Sequence, residues 1–282
     1  MTEGRGADGG GDTAFVLGGG GVLGACEVGM LQALLEAGIR PDLVVGTSIG
    51  ALNGAFVAAD PGPGAADKLG ELWRDMTASG ALTGSLLRRA GTLARSGTHV
   101  HAFAPLRSLL REALPVGRIE DLAVPFQCVA ASIERAAEHW FTEGPLAEAV
   151  LASCAVPGLF APVRIGDEHF FDGGLVHSIP IGRAVALGAR TVYVLQVGRI
   201  ERPLRAPRRP WDVGLVAFEI ARRHRYAADM AAVPAGVTVH VLPSGDRPTG
   251  AAAGLRYRDG GSVARRVENA YLASQAYLSG AG

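Results

Sequence analysis

Two short apolar runs are each followed by a glycine-containing turn and then by a helical pattern, and this arrangement restricts the fold more than any other feature. The first run, residues 13–17, leads into four consecutive glycines and a helix that stops at Gly38. The second run, residues 42–45, leads into the turn Gly-Thr-Ser-Ile-Gly at 46–50 and a helix over about 49–59. Strand, helix, strand and helix joined by short turns are typical of a parallel sheet with right-handed crossovers. We therefore predict an α/β fold with a mostly parallel central sheet.

The rest of the chain continues the alternation of strands and helices. Residues 1–12 are rich in glycine and acidic side chains, which predicts a flexible tail. Residues 13–282 are predicted to form a single α/β domain with a helical insertion at about 61–115. The patterns predict further strands at 126–132, 139–142, 163–171 (a hairpin), 191–197 and 237–242, and further helices at 145–154, 211–232 and 262–278.

The turn at 46–50 matches the pattern G-x-S-x-G and lies between a predicted strand and a predicted helix. In that context the serine occupies a tight, strained turn, and Gly46 and Gly50 leave room around it. The hydroxyl of Ser48 would then project from the edge of the sheet as a nucleophile. The alternative is an ordinary turn in which Ser48 caps the following helix.

The glycine-rich segment from Gly18 to Gly24 lies after the first strand and offers backbone N–H groups at the start of a helix. Such groups can stabilise the developing negative charge of an acyl-transfer intermediate, as an oxyanion hole does. The same segment also matches G-x-G-x-x-G, the dinucleotide-binding pattern. That pattern requires an acidic residue at the end of the second strand. Here Asp42 stands at the start of that strand, which argues against dinucleotide binding. We keep dinucleotide binding as the less favoured alternative.

Asp172, Gly173 and Gly174 follow two phenylalanines at the end of the predicted hairpin. An Asp-Gly pair is by itself a common turn. A serine nucleophile needs a base, however, and an aspartate beside aromatic side chains can have the raised pKa that a base requires. Three histidines follow Asp172, at 177, 224 and 240, so a Ser-Asp-His triad stays open on chain order.

These three motifs, in this order, resemble those of the patatin-like phospholipases. The resemblance rests on the glycine loop at 19–24, the G-x-S-x-G turn at 46–50 and the Asp-Gly-Gly sequence more than a hundred residues later. A segment at 153–162, Ser-Cys-Ala-Val-Pro-Gly-Leu-Phe-Ala-Pro, is also similar to that family. The similarity extends over roughly residues 13–197, and nothing diagnostic follows residue 200.

The resemblance implies a three-layer α/β/α patatin-like fold and a Ser–Asp dyad of Ser48 and Asp172. It implies cleavage of acyl esters through an acyl-enzyme, with no metal and no organic cofactor. The oxyanion hole would consist of Gly19, Gly20, Gly21 and Val22, and the supporting glycines would be Gly24, Gly46, Gly50, Gly173 and Gly174. An acyltransferase that uses the same dyad is an alternative.

One position departs from the family pattern. The residue before the last glycine of the loop is usually arginine or lysine in the family, whereas here it is Leu23. Backbone N–H donors do not depend on that side chain, so the oxyanion hole is expected to remain. A basic residue there would assist an anionic headgroup, so its replacement leaves neutral esters open as substrates beside phospholipids.

Composition limits the partners. The 27 basic and 27 acidic residues give a formal net charge of zero, which argues against nucleic acid as a partner. The three cysteines have no CxxC spacing, which argues against a zinc site and a disulfide framework. With no signal-peptide pattern and no long apolar run, the predicted location is the cytoplasm, with peripheral contact to a membrane as an option.

The option of membrane contact rests on a basic segment near residue 200. Its side chains form either a patch that attracts anionic lipid or a solvated loop stiffened by prolines. The residues concerned are Arg199, Arg202, Arg205, Arg208, Arg209 and Trp211.

Overall fold

A computed structural model describes residues 12–79, 86–114, 116–197, 203–208, 210–245 and 260–280. The predicted tail at 1–12 lies outside the described residues except for Asp12. Within those ranges, eight strands form one sheet in the order β5-β6-β3-β2-β1-β7-β8, and β4 pairs with β3. The strands are β1 (Thr13–Leu17), β2 (Leu43–Thr47), β3 (Phe126–Ser132), β4 (Ala137–Phe141), β5 (Val163–Ile165), β6 (Glu168–Asp172), β7 (Thr191–Leu195) and β8 (Thr238–Val241).

The pairs β1–β2, β1–β7, β2–β3 and β7–β8 are parallel, and the three pairs β3–β4, β3–β6 and β5–β6 are antiparallel. The helices are α1 (Ala25–Glu36), α2 (Ile49–Ala59), α3 (Gly64–Ser79), α4 (Leu86–Ser96), α5 (Ala104–Ala113), α6 (Leu146–Ser153), α7 (Ile181–Ala186), α8 (Pro210–Ala231) and α9 (Gly260–Leu278). The predicted order and type of elements are confirmed over the described residues.

Alternating side chains of β1 show why helices lie on both faces of the sheet. Phe15 and Leu17 join a core cluster with side chains of α1, α2, α3, α6 and α9. Ala14 and Val16 join a second cluster with α7 and α8. Successive side chains of a strand point to opposite faces, so a strand that is apolar at four successive positions, 14–17, needs cover on both sides. The predicted α/β fold with a mostly parallel central sheet between helical layers is confirmed.

The stretch from residue 61 to 115 contains α3, α4 and α5, with residues 80–85 and 115 outside the described part of the chain. Helix α3 packs against α1, α2 and α9, and its Trp73 is 1% exposed. At least this helix therefore belongs to the main core. The division into one domain with an inserted helical segment stays a prediction.

Strand β3 brings two distant segments together along one edge. Its residues 128–132 pair with β4 on one side, so β2 and β6 must share the other side. Thr47, the last residue of β2, lies opposite Val129, and Asp172, the last residue of β6, lies opposite Ala130. Because β2 is parallel to β3 and β6 is antiparallel to it, the carboxyl ends of β2 and β6 meet head to head.

Gly50 allows α2 to approach this end of the sheet. A Cβ atom added there would lie 2.4 Å from the carbonyl oxygen of Leu17, which cannot move without distorting β1. We expect Gly50→Ala to lower the free energy of unfolding by about 2 kcal/mol or more, measured by urea denaturation.

The matched control is Gly70→Ala in α3. Gly70 is also helical, and a Cβ atom there would meet nothing within 4 Å. This substitution should raise the free energy of unfolding by up to about 1 kcal/mol, because alanine favours helix more than glycine does. Equal stability of the two variants would contradict the close approach at Gly50.

Candidate active site

Ser48 occupies a strained turn between β2 and α2. Its backbone has φ of 56° and ψ of −126°, and among the described non-glycine residues only Ala136 shares a positive φ. A side-chain-bearing residue in such a conformation costs on the order of 1–3 kcal/mol and persists only where its surroundings hold it. No hydrogen bond from the Ser48 side chain caps α2, so the alternative of an ordinary capping serine is not supported.

Ser153, at the end of α6, holds the strained turn in place. The backbone N–H of Ser48 donates to the Ser153 hydroxyl oxygen at 2.8 Å. The Ser153 hydroxyl in turn donates to the Val129 carbonyl of β3 at 2.6 Å. Ser153 is fully buried, so this hydroxyl provides the N–H of Ser48 with a partner in a region without bulk water. Sequence reasoning missed this role, although Ser153 begins the segment at 153–162 that resembles the family.

The Ser48 hydroxyl donates a hydrogen bond of 2.6 Å to Oδ2 of Asp172. The other carboxyl oxygen, Oδ1, accepts the backbone N–H of Gly174 at 2.7 Å. Gly173 allows this turn to pack against β3, because a Cβ atom there would lie 2.1 Å from the Val129 carbonyl oxygen. The carboxylate is therefore fixed in orientation by one oxygen while the other faces the serine.

Burial changes the acidity of this carboxyl group. Asp172 is 1% exposed, and loss of hydration raises its pKa from the ordinary 3.8 to about 6. The Ser48 hydroxyl, the Gly174 N–H and the positive charge of Arg222 each lower the pKa and partly offset this effect. The group is therefore ionised at neutral pH and more basic than an exposed aspartate.

The glycine loop lies close to Ser48, and its backbone N–H groups differ in whether they already have a hydrogen-bond acceptor. A Cβ atom at Gly19 would lie 3.3 Å from Cβ of Ser48. The N–H of Gly19 donates to the Ser178 carbonyl at 2.9 Å, so this amide already has a partner. Over the described part of the chain, the N–H groups of Gly20, Gly21 and Val22 donate to no protein acceptor. Of the four expected amide donors, Gly19 is therefore already engaged, and an oxyanion hole formed by the other three stays a prediction.

A buried polar network joins the glycine loop to the helix after Ser48. Asn53 of α2 donates to the Gly24 carbonyl at 3.0 Å and to the Glu27 carboxyl group at 2.6 Å. The indole N–H of Trp73 donates to the Asn53 side-chain oxygen at 3.0 Å. Burial holds the pKa of Glu27 well above its usual range, which the hydrogen bond from Asn53 partly offsets. Asn53, the one strongly polar residue in the apolar helix α2, was the signal in the sequence for this network.

Two further contacts join the Asp172 segment to the other motifs. The Thr47 hydroxyl donates to the His177 carbonyl at 2.7 Å, and Gly19 donates to Ser178 as described. Through its carbonyl groups at 177 and 178, the segment that follows Asp172 is thus hydrogen-bonded both to the serine turn and to the glycine loop.

The histidine triad is not formed. The ring of His177 contacts Glu138, Arg225 and Asp229 rather than Ser48. His240 stacks on Tyr193 with ring centroids 4.9 Å apart, and His224 is exposed on α8. The serine hydroxyl instead bonds directly to Asp172, an arrangement that leaves no position for a histidine between the two.

The geometry also disfavours dinucleotide binding. Asp42 accepts the backbone N–H of Thr13 at 3.0 Å, at the amino ends of β1 and β2. The glycine loop lies at the opposite ends of these strands, so Asp42 cannot meet a ribose bound there. Among the described residues, no group of three or more His, Cys, Asp or Glu side chains could hold a metal ion.

The basic segment near residue 200 is described only in part. Arg199, Arg202 and Arg209 lie outside the described residues, and so does the side chain of Trp211. Arg205 and Arg208 are exposed. None of the described helices is long and apolar enough to cross a membrane.

Taken together, these contacts define an α/β protein with a serine and a buried aspartate paired at the carboxyl ends of its strands. The sequence pattern of the family described as Patatin-like phospholipase matches residues 15–185. The chain belongs to the patatin-like phospholipase family.

Several proteins are similar to this chain. It is 33% identical over 190 residues to a protein named Lysophospholipase nte1 from Aspergillus terreus, a match that covers 66% of this chain and 12% of the fungal protein. It is 32% identical over 188 residues to Patatin-like phospholipase domain-containing protein 7 from Rattus norvegicus, covering 66% of this chain and 13% of the rat protein. The chain thus matches a small part of these longer relatives.

Among solved structures, the chain is similar to VipD from Legionella pneumophila. The TM-score is 0.47 at 16% sequence identity, and the match covers 95% of this chain and 67% of that one.

Burial of Asp172 should make stability depend on pH. The raised pKa means that folding favours the protonated carboxyl group, so its stabilising contribution is complete below about pH 4 and is lost as pH rises through about 6. Above that, the buried carboxylate costs on the order of 3 kcal/mol, which Asp172→Asn would remove. We expect the variant to gain stability relative to the wild type between pH 4 and pH 8 in urea denaturation. A difference that does not change with pH would contradict the assigned burial cost.

Proposed function

We propose that the protein is a serine acyl hydrolase that cleaves acyl esters of lipids, with Ser48 as nucleophile and Asp172 as base. The observation that supports this most directly is the 2.6 Å hydrogen bond from the Ser48 hydroxyl to the buried Asp172 carboxylate. A hydroxyl is a weak nucleophile until a base takes its proton, and this pair meets the distance requirement.

In the first step, Ser48 Oγ attacks the ester carbonyl carbon and its proton passes to Oδ2 of Asp172. The carbonyl electron pair moves onto oxygen, where the N–H groups of Gly20, Gly21 and Val22 stabilise it. The intermediate collapses to an acyl-enzyme, and the departing alcohol takes the proton from Asp172. Water then attacks the acyl-enzyme with Asp172 again as base, which releases the carboxylic acid and restores Ser48.

A pKa of about 6 suits Asp172 to this role. The group is mostly ionised at pH 7, so it can accept a proton, and it is basic enough to draw the proton from the serine as the bond to carbon forms. Asp172 thus combines the two properties that catalysis asks of a base near neutral pH.

The relatives support lipid esters as the substrate class, since their names are lysophospholipase and patatin-like phospholipase. At the position where the family usually has a basic residue, Leu23 packs against the main core cluster. It therefore offers no charge to a headgroup, and the proposed substrates include neutral acyl esters as well as phospholipids.

Labelling with a fluorophosphonate probe tests the nucleophile. We expect the wild type to react and Ser48→Ala to be inert, because the probe bonds to an activated serine. Asp172→Asn should react at least about a hundredfold more slowly. In the wild type, kcat/KM for a soluble ester should fall as pH drops below about 6, where Asp172 becomes protonated.

The control is Ser274→Ala in α9, since Ser274 is also fully buried but lies away from the site. It should label as the wild type does. Labelling of Ser48→Ala at the wild-type rate would refute the proposal. Products formed with and without an added alcohol would separate hydrolysis from acyl transfer.

Ser153 should act as a positioning residue for Ser48. We expect Ser153→Ala to lower the free energy of unfolding by about 1–3 kcal/mol, because the buried N–H of Ser48 loses its acceptor. It should also slow probe labelling by about tenfold or more, since small displacements of a reacting group are costly. Ser274→Ala gives the comparison for a buried serine whose loss affects stability alone. If both variants label equally fast, Ser153 does not position the nucleophile.

A further inference from the structure

Helix α8 lies directly over the elements that hold the site. The ring of Phe218 packs so closely on the turn after Asp172 that a Cβ atom at Gly174 would lie 2.5 Å from Cζ of Phe218. One turn later, Arg222 donates to the Val197 carbonyl at 3.0 Å. Val197 in turn packs against Gly20 of the glycine loop. The inner side of α8 is thus fixed against both the Asp172 turn and the loop.

The outer side of the same helix presents apolar side chains to solvent. Val213 is 53% exposed and Ile220 is 56% exposed, and Ala217 between them is also exposed. Spacings of four and three residues place all three on one face of a helix. Val213, Ala217 and Ile220 together form what we call the α8 outer face.

Single exposed apolar residues are ordinary, but several on one face of a helix that packs against a functional site indicate an interaction surface. The charged side chains on α8 and in the segment before it indicate which partner the α8 outer face binds. Arg205 and Arg208, which precede α8, are exposed. Among the described side chains from 213 to 221, Glu219 is the one carboxylate, and it is paired with Arg222 and Arg223. An exposed apolar helix face that follows two exposed arginines along the chain matches a lipid surface with anionic headgroups.

We propose that the α8 outer face docks the protein onto a lipid surface that contains anionic headgroups, an inference that rests on the proposed function because this surface would hold the substrate. Docking there places the helix that packs on the turn after Asp172 against the lipid.

The experiment uses the full chain and vesicles of phosphatidylcholine with 30 mol% phosphatidylglycerol (about a third anionic lipid, as in an anionic leaflet). An environment-sensitive fluorophore is attached to Ile220→Cys, and the matched control is Leu272→Cys. Leu272 is 53% exposed on α9, on the other face of the sheet. The native cysteines, Cys26, Cys128 and Cys154, are buried, so the label should react at the introduced thiol. We expect a blue shift on vesicle addition for position 220 and none for position 272.

Vesicle sedimentation provides the second measurement. The double variant Val213→Ser and Ile220→Ser should bind at least about tenfold more weakly than the wild type, because serine removes buried apolar surface. Leu272→Ser should bind as the wild type does. Arg205→Gln and Arg208→Gln should each weaken binding about fivefold on anionic vesicles.

Turnover of a soluble ester separates this proposal from the proposed function. The Val213 and Ile220 variants should retain wild-type turnover of such an ester while losing vesicle binding. Equal shifts at positions 220 and 272, or unchanged sedimentation of the double variant, would overturn docking through this face even if ester turnover is intact. Concentration-dependent dimerisation that the double variant abolishes would instead assign the face to self-association and would also overturn the proposal.

Discussion

The pairing of β2 and β6 along the same edge of β3 is the constraint on which the site depends. One strand is parallel to β3 and the other antiparallel, so their carboxyl ends approach each other at Val129 and Ala130. Ser48 follows one end and Asp172 forms the other, and the 124 residues that separate them in sequence become a 2.6 Å contact. A shift in register by one residue would turn Asp172 to the opposite face of the sheet. The strand pairing thus brings Ser48 and Asp172 into contact.

Two energetically unfavourable features lie at this contact. Ser48 has a backbone conformation that favours glycine, and Asp172 is a carboxylate without access to bulk water. A hydrogen bond from or to a neighbouring residue partly offsets the cost of each feature. The Ser153 hydroxyl accepts the N–H of Ser48, and the Gly174 N–H donates to Asp172. Strained and desolvated groups commonly lie together at functional sites, where the surrounding structure holds them.

Much of this arrangement could be predicted from the sequence. The strand–turn–helix order is a local property, because apolar runs, glycines and helical periodicity lie close together in the chain. The pairing of Ser48 with Asp172 came from the ordered motifs, since the sequence does not state that β6 returns beside β3. Ser153 and Asn53 were missed because each acts through hydrogen bonds to groups that are distant in the sequence. Arg222 was missed because the chain after residue 200 resembles nothing diagnostic.

The glycine loop also shows which individual hydrogen bonds could not be predicted from the sequence. Four amide donors were expected there, but only a three-dimensional structure reveals that Gly19 donates to the Ser178 carbonyl. That bond depends on where the segment after Asp172 crosses the loop, which no local pattern encodes. The structure also gives a reason for glycine in this loop that differs from the approach of a ligand. Gly20, for example, lies where a Cβ atom would be 2.0 Å from Cγ2 of Val197.

The two hydrogen bonds that the 177–178 segment accepts, from Thr47 and from Gly19, have a consequence for the timing of events in the site. The serine turn, the glycine loop and the Asp172 segment cannot separate without breaking them, so the three should fluctuate as one unit on the nanosecond scale. Motions that separate one of these three parts from the others should therefore be rarer than motions of the surrounding loops.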